Sequence, residues 1–485
     1  MVFGSARRVR RYLGAAIVGG CVACSTTALS TNSSDRTAPA APVTVTTTSS
    51  LRTSDGAAGD NFGGALWYDT FSTPIRPVYV ATPQEAAMSS DGTVVAVGSP
   101  GSAAVGGTGA GAVYVFRRGE TGWTQVAKLV ALDGAAYDGL GWSVAMSGDG
   151  KTIVAGAPYT DHDGGIDVGT AYVFSYVGGA WVQSGELRGS DSAGYDNFGW
   201  SVGLARDGAT TIVGATSHAV GAVRGAGAAY VFRRGGDGTG WAQRTVLRAN
   251  HPASGASFGW ASTLSGDGTT AAVTAATHMD GQHVLHQGFV EVVASSDGWA
   301  TSTRKAHIVD PNHNENGDTD AYGVAVVLSD DGRTMALAVP DVNIGSAIGA
   351  GAVHLLVAPQ DWSVRSGIGR VTSTMIKPRV AAPYLYYGSA VALAADGSRL
   401  FIGNDGAGSD DQGSGEAVVF DRSDPNRVRV ASRTAIVAPN TTKGRFGTAV
   451  AGSSDLRSVV ATAPWLTVDG RVEQGAAFVL ALRYG

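Results

Sequence analysis

The sequence predicts an all-β fold: a seven-bladed β-propeller with four-stranded blades, closed by an N-terminal strand that completes the last blade. Two observations predict it. A glycine-opened run of β-branched and aromatic residues recurs seven times, at 111–116 (GAVYVF), 169–174 (GTAYVF), 227–232 (GAAYVF), 288–293 (GFVEVV), 351–356 (GAVHLL), 415–420 (GEAVVF) and 475–480 (GAAFVL). Its glycines stand 58, 58, 61, 63, 64 and 60 residues apart, and a fixed period of this size marks a repeat architecture. Three other markers keep phase with it. A Phe-Gly or its variant occurs at Phe62-Gly63, Leu140-Gly141, Phe198-Gly199, Phe258-Gly259, Tyr322-Gly323, Tyr387-Gly388 and Phe446-Gly447. A turn aspartate occurs at Asp91, Asp149, Asp207, Asp267, Asp331, Asp396 and Asp455, and a fourth-strand tryptophan at Trp123, Trp181, Trp241, Trp299 and Trp362.

Residues 132–187 show one unit in full. Residues 138–146 read as a first strand, and Ser147-Gly148-Asp149-Gly150 as a tight turn, because Asp-Gly supplies the positive φ that a hairpin needs. The second strand, 152–157 (TIVAGA), stops at Pro158, which cannot donate to a ladder. A polar loop leads to the third strand at 169–174, and a fourth follows at 181–187. Four strands per unit, repeated radially, make a propeller.

The closure is predicted from the ends. The chain stops soon after a third strand, so the seventh blade lacks its fourth. Residues 51–58 (LRTSDGAA) match the end of a fourth strand and its exit loop at 129–136, so a strand near 43–51 is expected to complete that blade and remove two open edges. Residues 67–85 are an insertion in the first blade.

Ahead of the propeller (43–485), residues 1–24 read as a signal peptide or lipoprotein signal, and 25–42 as a Ser/Thr/Pro-rich linker. Arg7, Arg8, Arg10 and Arg11 form the basic start, and residues 12–20 a short apolar run. Val18-Gly19-Gly20-Cys21 resembles a lipobox, which makes Cys21 the lipidation candidate and a membrane tether. An ordinary cut near 23–28 and a retained anchor reaching Leu29 stay open. Cys21 and Cys24 are the two cysteines, so the repeats use neither disulfides nor thiolate metal sites.

Only 15% of residues are charged and the net charge is -5, which does not suit nucleic acid. The 70 glycines have no three-residue period, which excludes collagen and leaves strand ends and tight turns as their use.

The markers Phe198-Gly199, Gly156-Ala157-Pro158 and Gly98-Ser99-Pro100, with degraded copies at Thr462-Ala463-Pro464 and Val339-Pro340, resemble the FG-GAP repeat family. Its best-known members form the seven-bladed head of integrin α chains. The resemblance spans 43–485 and implies an extracellular adhesion, recognition or scaffolding role. Family members often hold Ca²⁺ in the turn between strands one and two. Here each such turn has one aspartate, too few for a cation that takes six to eight oxygens.

A looser oxygen-rich spacing, Asn312, Asn314, Asn316 and Asp320, is a candidate Ca²⁺ loop of poor affinity, because amide oxygens carry no charge. No other cofactor is expected. Histidines concentrate in the loops between strands two and three and between blades, which share one face of a propeller. The ligand-face candidates there are Asp161, His162, Asp163, His218, His278, Asp280, His283 and His286. Imidazoles can hold a transition metal, although no sharp ligand spacing is met. No nucleophile elbow or phosphate loop is present, so no catalytic residue is assigned. The expected function is a secreted or surface-tethered, monomeric binding head that recognises a protein or glycan. The alternatives are a glycan- or phosphoester-cleaving hydrolase with its site on the same face, and a purely structural surface protein.

Overall fold

The computed structural model describes residues 43–64, 67–69, 76–78, 84–104, 106–236, 238, 240–275, 288–309, 322–363, 371–406, 415–422, 430–436 and 444–484. Among them every regular element is a strand. Seven sheets each hold four antiparallel strands, sequential in six of them, while the seventh takes its outer strand from the N-terminal end of the propeller. Blade 2 is Ser143–Met146, Thr152–Ala157, Thr170–Val177 and Ala180–Leu187. Blade 1 begins at Ala86–Met88, and blades 3 to 6 at Phe198–Leu204, Phe258–Leu264, Val326–Leu328 and Tyr387–Leu393. The first strands pack on one another around an axis, and that of blade 7, Val450–Gly452, packs on that of blade 1. A short ribbon, Trp67–Asp69 with Arg76–Val78, forms within the insertion.

The closing strand is where the sequence places it. Thr44–Leu51 pairs antiparallel with Ala476–Arg483, Leu51 opposite Ala477. Val43 and Leu51 are buried at its ends, while most of the strand between them faces solvent. Backbone pairing and two apolar anchors therefore hold the ring shut.

The core lies between blades. One apolar cluster joins Val113 and Val115 of blade 1 to Val144, Ile153 and Phe174 of blade 2. Another joins Leu51 and Val460 of blade 7 to Val95 and Tyr114 of blade 1, so the seam that closes the ring is packed like the others. Alanine and glycine beside aromatic rings let twisted sheets approach closely.

Each first turn is self-contained. Ser147 Oγ donates to Asp149 Oδ1 at 2.7 Å, Lys151 N–H donates to the same oxygen at 3.0 Å, and Thr152 N–H donates to Ser147 Oγ at 3.0 Å. Gly150 supplies the left-handed φ of 67°. The carboxylates serve the turn. Partial burial opposes their charge, but these hydrogen bonds hold Asp91, Asp267 and Asp455 below the usual carboxylate range.

The turns also bond to one another. Ser90 N–H donates to Gly148 O, Gly148 to Arg206, Arg206 to Gly266, Gly266 to Asp330, Asp330 to Ala395, Ala395 to Ser454, and Ser454 back to Ser90, all between 2.7 and 3.1 Å. This backbone collar encircles the axis at the turn face. Inside it lies an axial cavity of about 160 Å³, walled by Met88, Met146, Leu204, Leu264, Leu328 and Leu393.

The tryptophan marker needs a correction. Trp123, Trp181 and Trp241 lie in fourth strands, but Trp299 and Trp362 precede theirs, which begin at Thr303 and Thr372. Both are buried, and each indole N–H donates to a first-turn carbonyl, Gly268 O at 2.8 Å and Gly332 O at 2.6 Å.

Candidate functional site

The face opposite the turns carries the loops between strands two and three and those between blades. Each seam on this face starts from a glycine. Gly169 and Phe198 form a parallel bridge, and Phe198 N–H donates to Val168 O at 3.0 Å. The same bond runs from Leu140 to Ala110, Phe258 to Ala226, Tyr387 to Ala350 and, across the closure, Phe62 to Gln474. A Cβ on Gly169 would lie 2.1 Å from Phe198 O, and one on Gly156 would lie 1.9 Å from Gly199 O. The Phe-Gly of one blade thus seats against both repeated glycines of the blade before it.

The inter-blade loops are braced by aspartate pairs that the sequence reading passed over. Asp60, Asp138 and Asp196 accept N–H bonds from Ala57, Ala135 and Ala193 at 2.7, 2.7 and 2.8 Å. Burial pushes Asp60 and Asp138 above the ordinary carboxylate range. Asp55 and Asp191, five residues earlier, accept from Tyr114 and Tyr230 hydroxyls at 2.9 and 2.8 Å and pair with Lys128 and Arg248 at 2.6 and 2.5 Å. Blade 4 exchanges this arrangement for buried Glu291, which pairs with Arg304 at 2.6 Å. The signal was an Asp-x-x-x-x-Asp ending two residues before Phe62, Leu140 and Phe198.

Four of the predicted ligand-face residues are described. Asp161, His162 and Asp163 share one loop. His162 turns inward, with Nδ1 facing Asp163 Oδ2 at 3.0 Å and Nε2 facing Gly169 O at 3.0 Å, and Asp161 Oδ1 accepts Asp167 N–H at 2.8 Å. Asp161 and Asp163 are exposed, and Asp163 has Arg188 at 3.7 Å. His218 is buried, its Nδ1 2.8 Å from Asp196 Oδ2, at the place held by Ser102 in blade 1 and Thr160 in blade 2. The structure therefore makes both histidines loop braces, and their imidazoles do not converge on the surface. His278, Asp280, His283 and His286 lie outside the described residues, as do Asn312, Asn314, Asn316 and Asp320 and also Cys21. Among the described residues no group of three or more His, Cys, Asp or Glu is placed to hold a metal.

The inner rim of this face is aromatic on one side. Trp142, Trp200 and Trp260 each follow the Phe-Gly marker of their blade and form an arc with ring centroids 5.0 and 5.1 Å apart. Tyr159 meets Trp142 edge-on at 5.2 Å. Elsewhere on the rim Arg445 lies over Trp465, 4.2 Å from its ring centroid, and 3.5 Å from buried Asp405.

The outer rim carries exposed tyrosines at matched positions. Tyr137, Tyr195 and Tyr384 stand three residues before the Phe-Gly markers and are 72%, 61% and 56% exposed. Their backbones hold φ of 72°, 69° and 58°. The corresponding residues at two other seams are Gly59 and Gly255, with φ of 79° and 72°. A side chain in this region costs about 1 kcal/mol that glycine avoids. Tyr195 N–H donates to Ile166 O at 2.7 Å and Tyr384 N–H to Ile348 O at 2.8 Å, and both isoleucines are exposed.

A ring of seven four-stranded blades, each seated on glycines of the blade before it, defines a repeat-built β-propeller. Two stretches of the ring, residues 123–174 and 181–232, match the FG-GAP repeat model. Each match runs from the fourth strand of one blade to the third strand of the next and so includes a seam. The complete ring is consistent with an integrin-α-like propeller. No curated protein matches the chain.

Proposed function

We propose that this protein is an extracellular or surface-tethered recognition propeller whose loop face binds a protein or glycan ligand without bond chemistry. The observation that carries the reading is the distribution of exposed large apolar side chains. Leu132, Tyr137, Ile166, Tyr195, Ile348, Val380, Tyr384 and Val472 all lie on the loop face, while the others described are Val45, Val126, Val177, Val182 and Val309 at the outer strands. Apolar groups gathered on one face of a soluble fold mark an interaction surface. FG-GAP propellers are typically binding domains, and the acid and base groups that meet here, His218 with Asp196 and His162 with Asp163, brace loops. Residues 1–42 supply the expected export signal and tether, with Cys21 as the lipid site.

The test is a glycan and protein-ligand array probed with the purified full chain. A loop-face variant, Ile166→Asp with Ile348→Asp, should lose the bound ligand, and a turn-face variant, Asp149→Lys, should keep it. The opposite pattern would move the site to the other face. Mass spectrometry of the exported protein should show a lipid on an N-terminal Cys21; an unmodified N-terminus within 23–28 would remove the tether.

A further inference from the structure

We infer that the loop-face ligand is a neutral glycan, read at the blade seams by Tyr137, Tyr195 and Tyr384. This rests on the loop face being the binding surface. At one seam position the backbone is left-handed in every described copy, and glycine is its natural occupant, as at Gly59 and Gly255. Tyrosine stands there three times. Its side chain leaves the surface, because a Cβ built at Gly59 or Gly255 meets nothing within 4 Å. The hydroxyls of Tyr137, Tyr195 and Tyr384 make no hydrogen bond among the described residues. Among the described residues Tyr384 meets the Tyr386 ring at 6.3 Å, and no hydrogen bond rewards the strain at any of the three; strain of this kind is an observation from which function is inferred.

At the Tyr195 seam the carboxylates come with their own cations, Asp191 with Arg248 at 2.5 Å and Asp163 with Arg188 at 3.7 Å, and the Gly59 seam pairs Asp55 with Lys128 at 2.6 Å in the same way. A seam that would capture a basic segment would leave its carboxylates unpaired, and one that would capture a polyanion would show surplus arginine. Here donor and acceptor lie side by side around a rigid aromatic plate. That pattern suits adjacent sugar hydroxyls, each donor and acceptor at once, with the apolar ring face of the sugar on the phenol. Tyr137 and Tyr195 occupy successive seams, so a polymer of repeating units can meet an exposed aromatic plate twice.

Glycine is the replacement that removes the ring and keeps the backbone. The full chain, Tyr137→Gly/Tyr195→Gly and Tyr195→Phe would be compared by affinity electrophoresis in dextran, galactomannan and β-1,3-glucan, with alginate and oligolysine as charged probes. The inference expects retardation by at least one neutral polysaccharide. The double glycine variant should bind roughly fivefold or more weakly with a melting temperature no lower than the parent's, and Tyr195→Phe should bind nearly as well as the parent. Binding of alginate or oligolysine alone, lost in the double variant, would overturn the neutral glycan and keep the loop face. Binding that ignores the tyrosines and falls with Asp149→Lys would overturn the loop face itself. No binding to any polysaccharide would overturn the glycan.

Discussion

Arg206 and Asp330 meet across the turn-side mouth of the axial cavity, although 124 residues separate them: Arg206 Nε and Nη2 donate to Asp330 Oδ1 at 2.9 and 2.7 Å. Arg206 Nη1 also donates to Ser90 Oγ. Both residues hold the second position of a first turn, in blades 3 and 5, and Gly266 of blade 4 lies between them, where a Cβ would come within 2.4 Å of Asp330 Cγ. The pair is a bolt laid over the backbone collar.

Its worth can be bounded. Both side chains are about a third exposed, 35% and 38%, so solvent screens the attraction. Arg206→Met should therefore cost about 1 kcal/mol or less, and the difference should shrink in high salt, read as the melting temperature of parent and variant with and without added sodium chloride. A loss of several kcal/mol would mean that the bolt, rather than the backbone collar, holds this end of the ring.

Two glycines of one loop separate steric need from backbone need. Gly169 and Gly164 have φ of 84° and 79°, but a Cβ on Gly169 would collide with Phe198 O while one on Gly164 meets nothing within 4 Å. Gly164→Ala should cost about 1 kcal/mol. Gly169→Ala adds a forced shift of the next blade and should cost about 3 kcal/mol or more. Denaturant midpoints of the two variants check this, and equal midpoints would refute the account of the seam.

That contrast also explains what could be read from the sequence. A backbone geometry that admits one residue type leaves a mark, so the seam glycines, the Phe-Gly pairs and the Asp-Gly turns gave the blades and their number. Leu51 gave the closure because it repeats the end of a fourth strand, Leu129. The collar left no mark, since its bonds are backbone to backbone and its side chains range from Gly148 to Arg206. Burial was hidden too. His218 looked like a surface ligand because histidine is polar, yet it fills the place of Ser102 and Thr160. Trp299 and Trp362 left the fourth strand because they stand 11 residues after the third-strand glycine where Trp123 and Trp181 stand 12, which swings them under the first turn.

The closing strand should matter more than its exposure suggests. Deletion of residues 43–54 removes the pairing with Ala476–Arg483 and the buried Val43 and Leu51. It leaves an open edge on blade 7 and should lower the melting temperature sharply. Leu51→Ala alone should cost about 2–5 kcal/mol, as a fully buried leucine does. An unchanged melting temperature in the deletion would mean that the ring does not depend on this strand.

The two kinds of loop carboxylate should respond oppositely to acid. Asp267 is partly buried, yet the bonds from Ser265 and Thr269 hold its pKa below the ordinary value. The unfolded chain then takes up the proton first as pH falls, so this stabilisation is complete above the ordinary carboxylate pKa of about 4 and drains away as pH falls through the lower folded value. Asp138 is pushed the other way by burial, against the bond from Ala135 N–H. The folded protein takes up that proton first, so the charge of Asp138 costs stability near neutrality and the cost fades as pH falls through its raised pKa. Asp267→Asn should thus be destabilising at about pH 7 and become harmless as pH falls through the lowered folded pKa, and Asp138→Asn should be neutral or stabilising at about pH 7 with the gain lost in acid. Melting temperatures of the two variants across this range decide the matter; parallel curves would show that neither carboxylate changes its pKa on folding.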